Sequence, residues 1–153
     1  MSADVTSLSC PCGSHKLFSD CCEPVITHQS ATTALQLMRS RYSAHVKNNE
    51  KYLIDSWHPS TCPEKIDTET QATRWLQLKI ISAETDMVHF VAYFSEGNKT
   101  FALKEKSRFT LEHDHWYYLD AIENSVIDVS KNMPCPCESG KKYKRCCGQS
   151  GKP

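Results

Sequence analysis

Eight of the nine cysteines in this 153-residue chain fall into two short blocks with one spacing rule, which constrains the fold more than any other feature. Cys10 to Cys22 reads CPCGSHKLFSDCC, and Cys135 to Cys147 reads CPCESGKKYKRCC. In each, Cys, one residue and Cys are followed by eight residues and a Cys-Cys pair. Superposing the two also matches the proline, a serine and a lysine, and puts an aromatic at Phe18 and Tyr143. The chain therefore carries an internal repeat at its two ends, and Cys62 alone lies outside it.

Four thiolates suit zinc, a borderline-soft ion without redox chemistry that accepts a tetrahedron of sulfurs at about 2.3 Å. That geometry places the sulfurs roughly 3.8 Å apart, so the backbone must fold tightly. Pro11 and Pro136 bias the preceding cysteine toward an extended conformation, while Gly13-Ser14 and Ser139-Gly140 let the chain turn back. Iron is accepted by the same four-thiolate set. Two disulfides per block, or a vicinal one at Cys21-Cys22, form the competing reading, which a reducing compartment disfavours. Catalytic thiols are disfavoured by spacing, since redox pairs usually hold two residues between their cysteines. The expected metal ligands are Cys10, Cys12, Cys21 and Cys22 at one end and Cys135, Cys137, Cys146 and Cys147 at the other. Four protein sulfurs leave no open position, so both sites are expected to be structural, and metal binding should supply the folding free energy of each knot.

The segment MSADVTSLSC has neither a basic start nor an apolar stretch, and no run approaches the roughly 18 apolar residues of a membrane helix. A cytoplasmic location is expected. The formal charge of zero conceals a division: residues 131–153 sum to +5, residues 1–30 to −2. Lys141, Lys142, Lys144 and Arg145 cluster in the second block and are the candidate partner-binding residues, facing an acidic protein surface, the ribosome or RNA. Any such run is more commonly just a solvated end.

Between the blocks, Leu35, Met38, Tyr42 and Val46 recur at intervals of three and four, with Thr32 or Thr33 as cap and Asn48-Asn49 as stop, which predicts a helix. A shorter helix is predicted from Glu50 to Trp57, ending near His58 because Pro59 follows. A helical turn over Thr70–Trp75 is a weaker expectation. From Leu76 the period becomes two, predicting strands near 76–84, 87–95, 100–112 and 115–123 with hairpins at Thr85-Asp86, Glu96-Gly97-Asn98 and His113-Asp114. Helices followed by an antiparallel meander make an α+β layer with helices over one face of a curved sheet.

Parity along the third strand puts Phe101, Leu103, Glu105, Ser107, Phe109 and Leu111 on one face, and Ala102, Lys104, Lys106, Arg108, Thr110 and Glu112 on a face expected to meet solvent. Glu105 then points toward the apolar side, where a carboxylate needs a partner or a pocket. Arg39, Arg41 or His58 could provide the partner.

The cysteine blocks resemble the SEC-C motif, the zinc-binding element at the C-terminus of the SecA export ATPase, with Cys135–Gly148 the closer fit. In that family the knot docks on the SecB chaperone and is associated with ribosome contact. The first block departs from it, with Leu17, Ser19 and Asp20 where the second has Lys142, Lys144 and Arg145, which argues against one partner for both. The order of block, MRSRYSAH, YLIDSWHPST, a meander containing KEKSRF and WYYLDA, and final block is similar to the YchJ-type bacterial proteins over nearly the whole chain. The resemblance implies a nuclear-transport-factor-two-like (cystatin-like) cone over 29–131, flanked by zinc knots over 1–28 and 132–153. It further implies that Arg39, Arg41, Tyr42, Trp57, His58, Glu105, Ser107 and Asp120 line the mouth of the cone. Arg41, Tyr42, Trp57, His58 and Glu105 are the candidate pocket. The competing reading makes Tyr42 and Trp57 core, and Arg41–Glu105 a buried architectural ion pair.

Together these readings point to a zinc-binding adapter whose knots dock on a partner. A small-molecule-binding protein or enzyme using the cone is the alternative, for which Glu105 and His58 would be the acid/base candidates. No nucleophile triad, phosphate loop or open three-ligand metal site is legible, so no catalytic residue is assigned.

Overall fold

The computed structural model describes residues 9–66 and 73–150. In chain order it contains a 3₁₀ turn (Phe18–Asp20), α1 (Cys22–His28), α2 (Ala34–Val46), α3 (Glu50–Asp55), β1 (Thr73–Ala83), β2 (Met87–Glu96), β3 (Lys99–Glu112), β4 (His115–Asp128), a second 3₁₀ turn (Tyr143–Arg145) and α4 (Cys147–Ser150).

Helix α2 begins where Thr33 Oγ1 accepts the N–H of Gln36 at 3.0 Å, and the Gln36 side chain reaches back to accept the N–H of Thr32 at 2.7 Å. This reciprocal arrangement satisfies two amide donors that would otherwise lack a partner at the helix start. Asn48 ends the helix by adopting a left-handed conformation (φ 56°), and Asn49 starts the next by accepting the N–H of Tyr52 through its side chain. Leu37, Met38 and Tyr42 of α2 and Tyr52 and Leu53 of α3 are buried. Helix α3 stops at Asp55, two residues short of the prediction. The chain there turns to lay Trp57 beside Tyr118 as a parallel bridge, with reciprocal backbone bonds from His58 N to Tyr118 O and from Tyr118 N to Ser56 O, both 2.8 Å.

The four strands form one antiparallel sheet in the order β1-β2-β3-β4. The hairpin between β3 and β4 is made at His113 and Asp114, both left-handed (φ 53° and 66°), the requirement of a turn whose twist matches the strands. Strand β4 runs five residues beyond its predicted end, pairing Asn124 with Glu105 and Asp128 with Phe101. The expected helical turn at Thr70–Trp75 is overturned at its described end, where residues 73–75 open β1; its first three residues lie outside the described ones. Register shifts in β1 (Trp75/Gln77 and Ile80/Ser82) and between β3 and β4 (Lys106/Ser107 and Arg108/Phe109) mark bulges, which bend a sheet and sharpen its twist.

Strand β2 shows how the core is partitioned. Val88, Phe90 and Ala92 are buried against the helices, while Val91 and Tyr93, on the opposite face, are buried against Cys135, Cys137 and Cys147. The outward face of β3 was expected to meet solvent, and Ala102 corrects that: it is fully buried beneath the second cysteine block. Leu111, assigned to the apolar face, is 52% exposed because it lies near the end of the hairpin.

Candidate metal centres and central cavity

The two cysteine blocks fold alike. Cys10 N donates to Lys16 O and Cys135 N to Lys141 O, both at 2.8 Å, closing the first loop. Cys21 N donates to Phe18 O, and Cys146 N to Tyr143 O, through the 3₁₀ turn that delivers the last pair. Two positions in each loop are left-handed: Gly13 and His15 in one copy, Glu138 and Gly140 in the other. Each copy thus has glycine at one of the two strained positions, and the choice is swapped between them. A Cβ on Gly13 would lie 3.3 Å from Leu78 O, whereas one on Gly140 would meet nothing within 4 Å.

The four Sγ atoms of each block lie within 4.8 Å of one another. Cys12 and Cys21 are 3.7 Å apart and Cys137 and Cys146 3.5 Å, which is ligand spacing and far longer than a disulfide bond. Ser14 Oγ stands 3.2 Å from Cys21 Sγ, and Ser139 Oγ 3.2 Å from Cys146 Sγ, each hydroxyl oriented to donate to a thiolate. The thiols of one block do not ionise independently. Hydrogen bonds from Cys10 and Cys22 pull Cys12 down, whereas Cys22, sharing its proton with Cys10 and Cys12, is pushed up. Four sulfurs this close can all ionise only with a cation among them, and the donor set fits a tetrahedral soft or borderline metal ion.

What differs is the ground on which each knot stands. The first sits on α2: Arg39 Nη1 donates to Cys12 O at 2.7 Å, Cys10 Sγ lies 3.5 Å from Ser43 Oγ, and the Lys47 ammonium sits 4.4 Å from the centre of the Phe18 ring. The second sits on the outer face of the sheet. There Tyr93 packs against Tyr143 (ring centres 5.6 Å apart), Tyr93 OH lies 3.2 Å from Cys135 Sγ, and Lys104 pairs with Glu138. Burial opposes ionisation of Cys135, but the Tyr93 hydroxyl and the N–H groups of Cys137 and Cys147 outweigh it and hold the thiol near 6. Lys141, Lys142, Lys144 and Arg145 are all exposed, and no ion pair among the described residues involves them.

Between helices and sheet lies a cavity of about 370 Å³. Of the residues expected at the mouth of the cone, Arg41, Tyr42, Trp57, Glu105 and Ser107 line it. The others do not. Arg39 serves the first knot, Asp120 makes a two-pronged bond to Arg108, and His58 bonds Glu112 (2.8 Å) and Ser60 (2.7 Å) outside the cavity. The bridge of Trp57 to Tyr118 carries His58, the next residue, away from the cavity. Trp75, Phe90 and Tyr118 complete the aromatic wall and were not singled out by sequence: period two placed Phe90 and Tyr118 on strands without saying which faces would enclose a void, and Trp75 fell in the helical turn that the structure replaces with the start of β1.

Glu105 and Arg41 share the cavity without an ion pair. Ser107 Oγ donates to Glu105 Oε1 at 2.6 Å, Asn124 Nδ2 to Oε2 at 3.2 Å, and Tyr118 OH lies 3.4 Å from Oε1. Burial nevertheless raises the Glu105 pKa. Arg41 donates through Nη1 to Leu53 O (2.8 Å) and Ser56 Oγ (2.7 Å) and lies over the rings of Tyr118 and Trp57, at 4.6 and 5.1 Å. Burial lowers its pKa to about 10. His45, also lining the cavity, is held down to about 4 by burial and by the charge of Arg41.

Residues 33–121 match the family model described as the YchJ middle NTF2-like domain, and residues 132–149 match the SEC-C motif. A UPF0225 protein of Pectobacterium carotovorum is 43% identical, covering 94% of this chain and 99% of its own length. UPF0225 proteins of Photorhabdus laumondii (44% identical; 91% of this chain, 98% of theirs) and Vibrio cholerae (40%; 92% and 100%) are similar over the same extent. The crystal structure of a SEC-C motif containing protein from Psychrobacter arcticus superposes with a TM-score of 0.61 at 27% identity, covering 95% of this chain and 98% of that one. With the helix-covered meander, the C-terminal knot and these relatives in agreement, the chain belongs to the YchJ-type UPF0225 family, an NTF2-like domain followed by a SEC-C motif.

Proposed function

We propose that this protein is a cytoplasmic zinc-binding adapter whose C-terminal knot docks on an acidic protein surface. The observation that carries the reading is the exposed quartet Lys141, Lys142, Lys144 and Arg145, four cations with no ion pair among the described residues, on a knot packed against the sheet. Zinc is the metal that a four-thiolate set without an open position serves best, and a reducing compartment keeps the thiols available. Both sites are structural, holding shape rather than performing chemistry. Tyr143, the aromatic of the basic turn, packs against Tyr93 and is half-buried. That leaves the turn poorly suited to stacking nucleic-acid bases and favours a protein partner over single-stranded RNA. The N-terminal knot places Leu17, Ser19 and Asp20 at the equivalent exposed positions, so it serves a different contact.

The test uses the intact chain purified under reducing conditions. Metal analysis is expected to return two zinc ions per chain, one per cysteine quartet. Reversing the quartet to glutamate should retain both ions and abolish capture of the protein partner recovered with the unmodified chain, in nuclease-treated lysate. Equal capture by the reversed variant overturns the docking surface, loss of capture on nuclease treatment alone assigns the surface to RNA, and metal-free protein with ordered knots overturns the zinc reading.

A further inference from the structure

The central cavity contains a donor group that the described residues leave short of acceptors. Arg41 is 6% exposed, yet no carboxylate among the described residues comes within 4.0 Å of its guanidinium, which spends one nitrogen on Leu53 O and Ser56 Oγ. A buried donor without an acceptor costs about 1–3 kcal/mol, so such groups mark a place where something else supplies the oxygen. The carboxylate of the same cavity does not compete for that role, because Ser107, Tyr118 and Asn124 already occupy both Glu105 oxygens.

Apart from His45 and the exposed Lys65, the remaining wall is largely apolar and aromatic, with Tyr42, Trp75 and Phe90 facing the space. A volume of about 370 Å³ is within the range of small-molecule sites, and flat aromatic walls select flat ligands by offset and edge contacts. Arg41 is the one buried cation of the lining, Lys65 being exposed, and with the half-buried Glu105 beside it the site suits a single negative charge better than a phosphate dianion. From this combination we infer that the cavity binds a small planar aromatic monocarboxylate, its carboxylate received by Arg41 and its ring held between the aromatic walls. The site is separate from the cysteine knots, so it stands or falls independently of the docking surface.

The experiment uses the intact, metal-loaded chain and two probes of one shape, 2-naphthoate and neutral 2-naphthamide, followed by calorimetry and by quenching of tryptophan fluorescence. The acid is expected to bind about tenfold or more tightly than the amide, as a charge-assisted hydrogen bond to a buried guanidinium implies. Arg41→Gln should bring the two affinities together, and Ala92→Phe, which fills the cavity from β2, should abolish binding of both. The acid/amide comparison on the unmodified protein needs no variant to fold. Equal affinities, no binding of either probe, or binding that survives Ala92→Phe in a folded protein overturns the assignment.

Discussion

The hydroxyl of Tyr93, a residue on the outer face of the sheet, lies 3.2 Å from the Sγ of Cys135, a candidate metal ligand 42 positions further along the chain. The hydroxyl joins a knot with almost no core of its own to the domain that supports it. A donor behind a thiolate fixes its orientation and lowers its basicity, and second contacts of this kind typically govern metal affinity by about 10–100-fold. Tyr93→Phe keeps the ring against Tyr143 and removes only the oxygen. Metal affinity of the C-terminal knot should fall about tenfold in chelator competition, with the N-terminal knot unchanged. An equal loss at both knots would mean that Tyr93 acts on the whole fold.

Glycine exchange separates backbone strain from crowding. Gly13 and Gly140 share a left-handed backbone (φ 82° and 85°), so alanine strains both by about 1 kcal/mol. Gly13 alone has a carbonyl, Leu78 O, at 3.3 Å from its would-be Cβ. Gly13→Ala is therefore expected to lower stability by about 1 kcal/mol more than Gly140→Ala, read by chemical denaturation of the metal-loaded protein.

Acid should destabilise the domain through His45. Its folded pKa of about 4 lies below the ordinary value of 6.5, so the unfolded chain binds the extra proton first. The stabilisation from keeping His45 neutral is fully present above about pH 6.5 and is lost as pH falls toward 4. Its size is about 3 kcal/mol at most. Because acid also acts on the cysteine quartets, the measurement is the difference between the unmodified chain and His45→Gln in the same buffers. The variant should show a shallower fall between pH 6.5 and 4, and parallel curves would show that the imidazole does not couple to folding.

Much of this molecule was legible because its signals are local. The cysteine spacing identified both quartets, since a tetrahedron of thiolates can be assembled by thirteen consecutive residues with a turn in the middle. Thr33, Asn48 and Asn49 bounded the helices, as capping depends on atoms three or four residues away. Parity placed Glu105 and Ser107 correctly on the inner face of β3, because that strand pairs with β2 without a bulge.

The places where the reading departed from the structure are those where two distant segments meet. Ala102 could not be recognised as core from its lysine and arginine neighbours, because the surface that buries it arrives from residues 135–147. His58 and Arg39 were set beside Glu105 by their charge, whereas a bridge to β4 took one outward and a carbonyl of the first knot took the other. By itself, then, the order of residues determined most of the elements, the two cysteine quartets and most faces of the strands, all matters of short-range geometry. Tertiary structure alone decided that one knot stands on a helix and the other on the back of the sheet, and that Arg41 and Glu105 line a void together without pairing. Burial and pairing depend on what packs across many residues of intervening chain, and no periodicity encodes that.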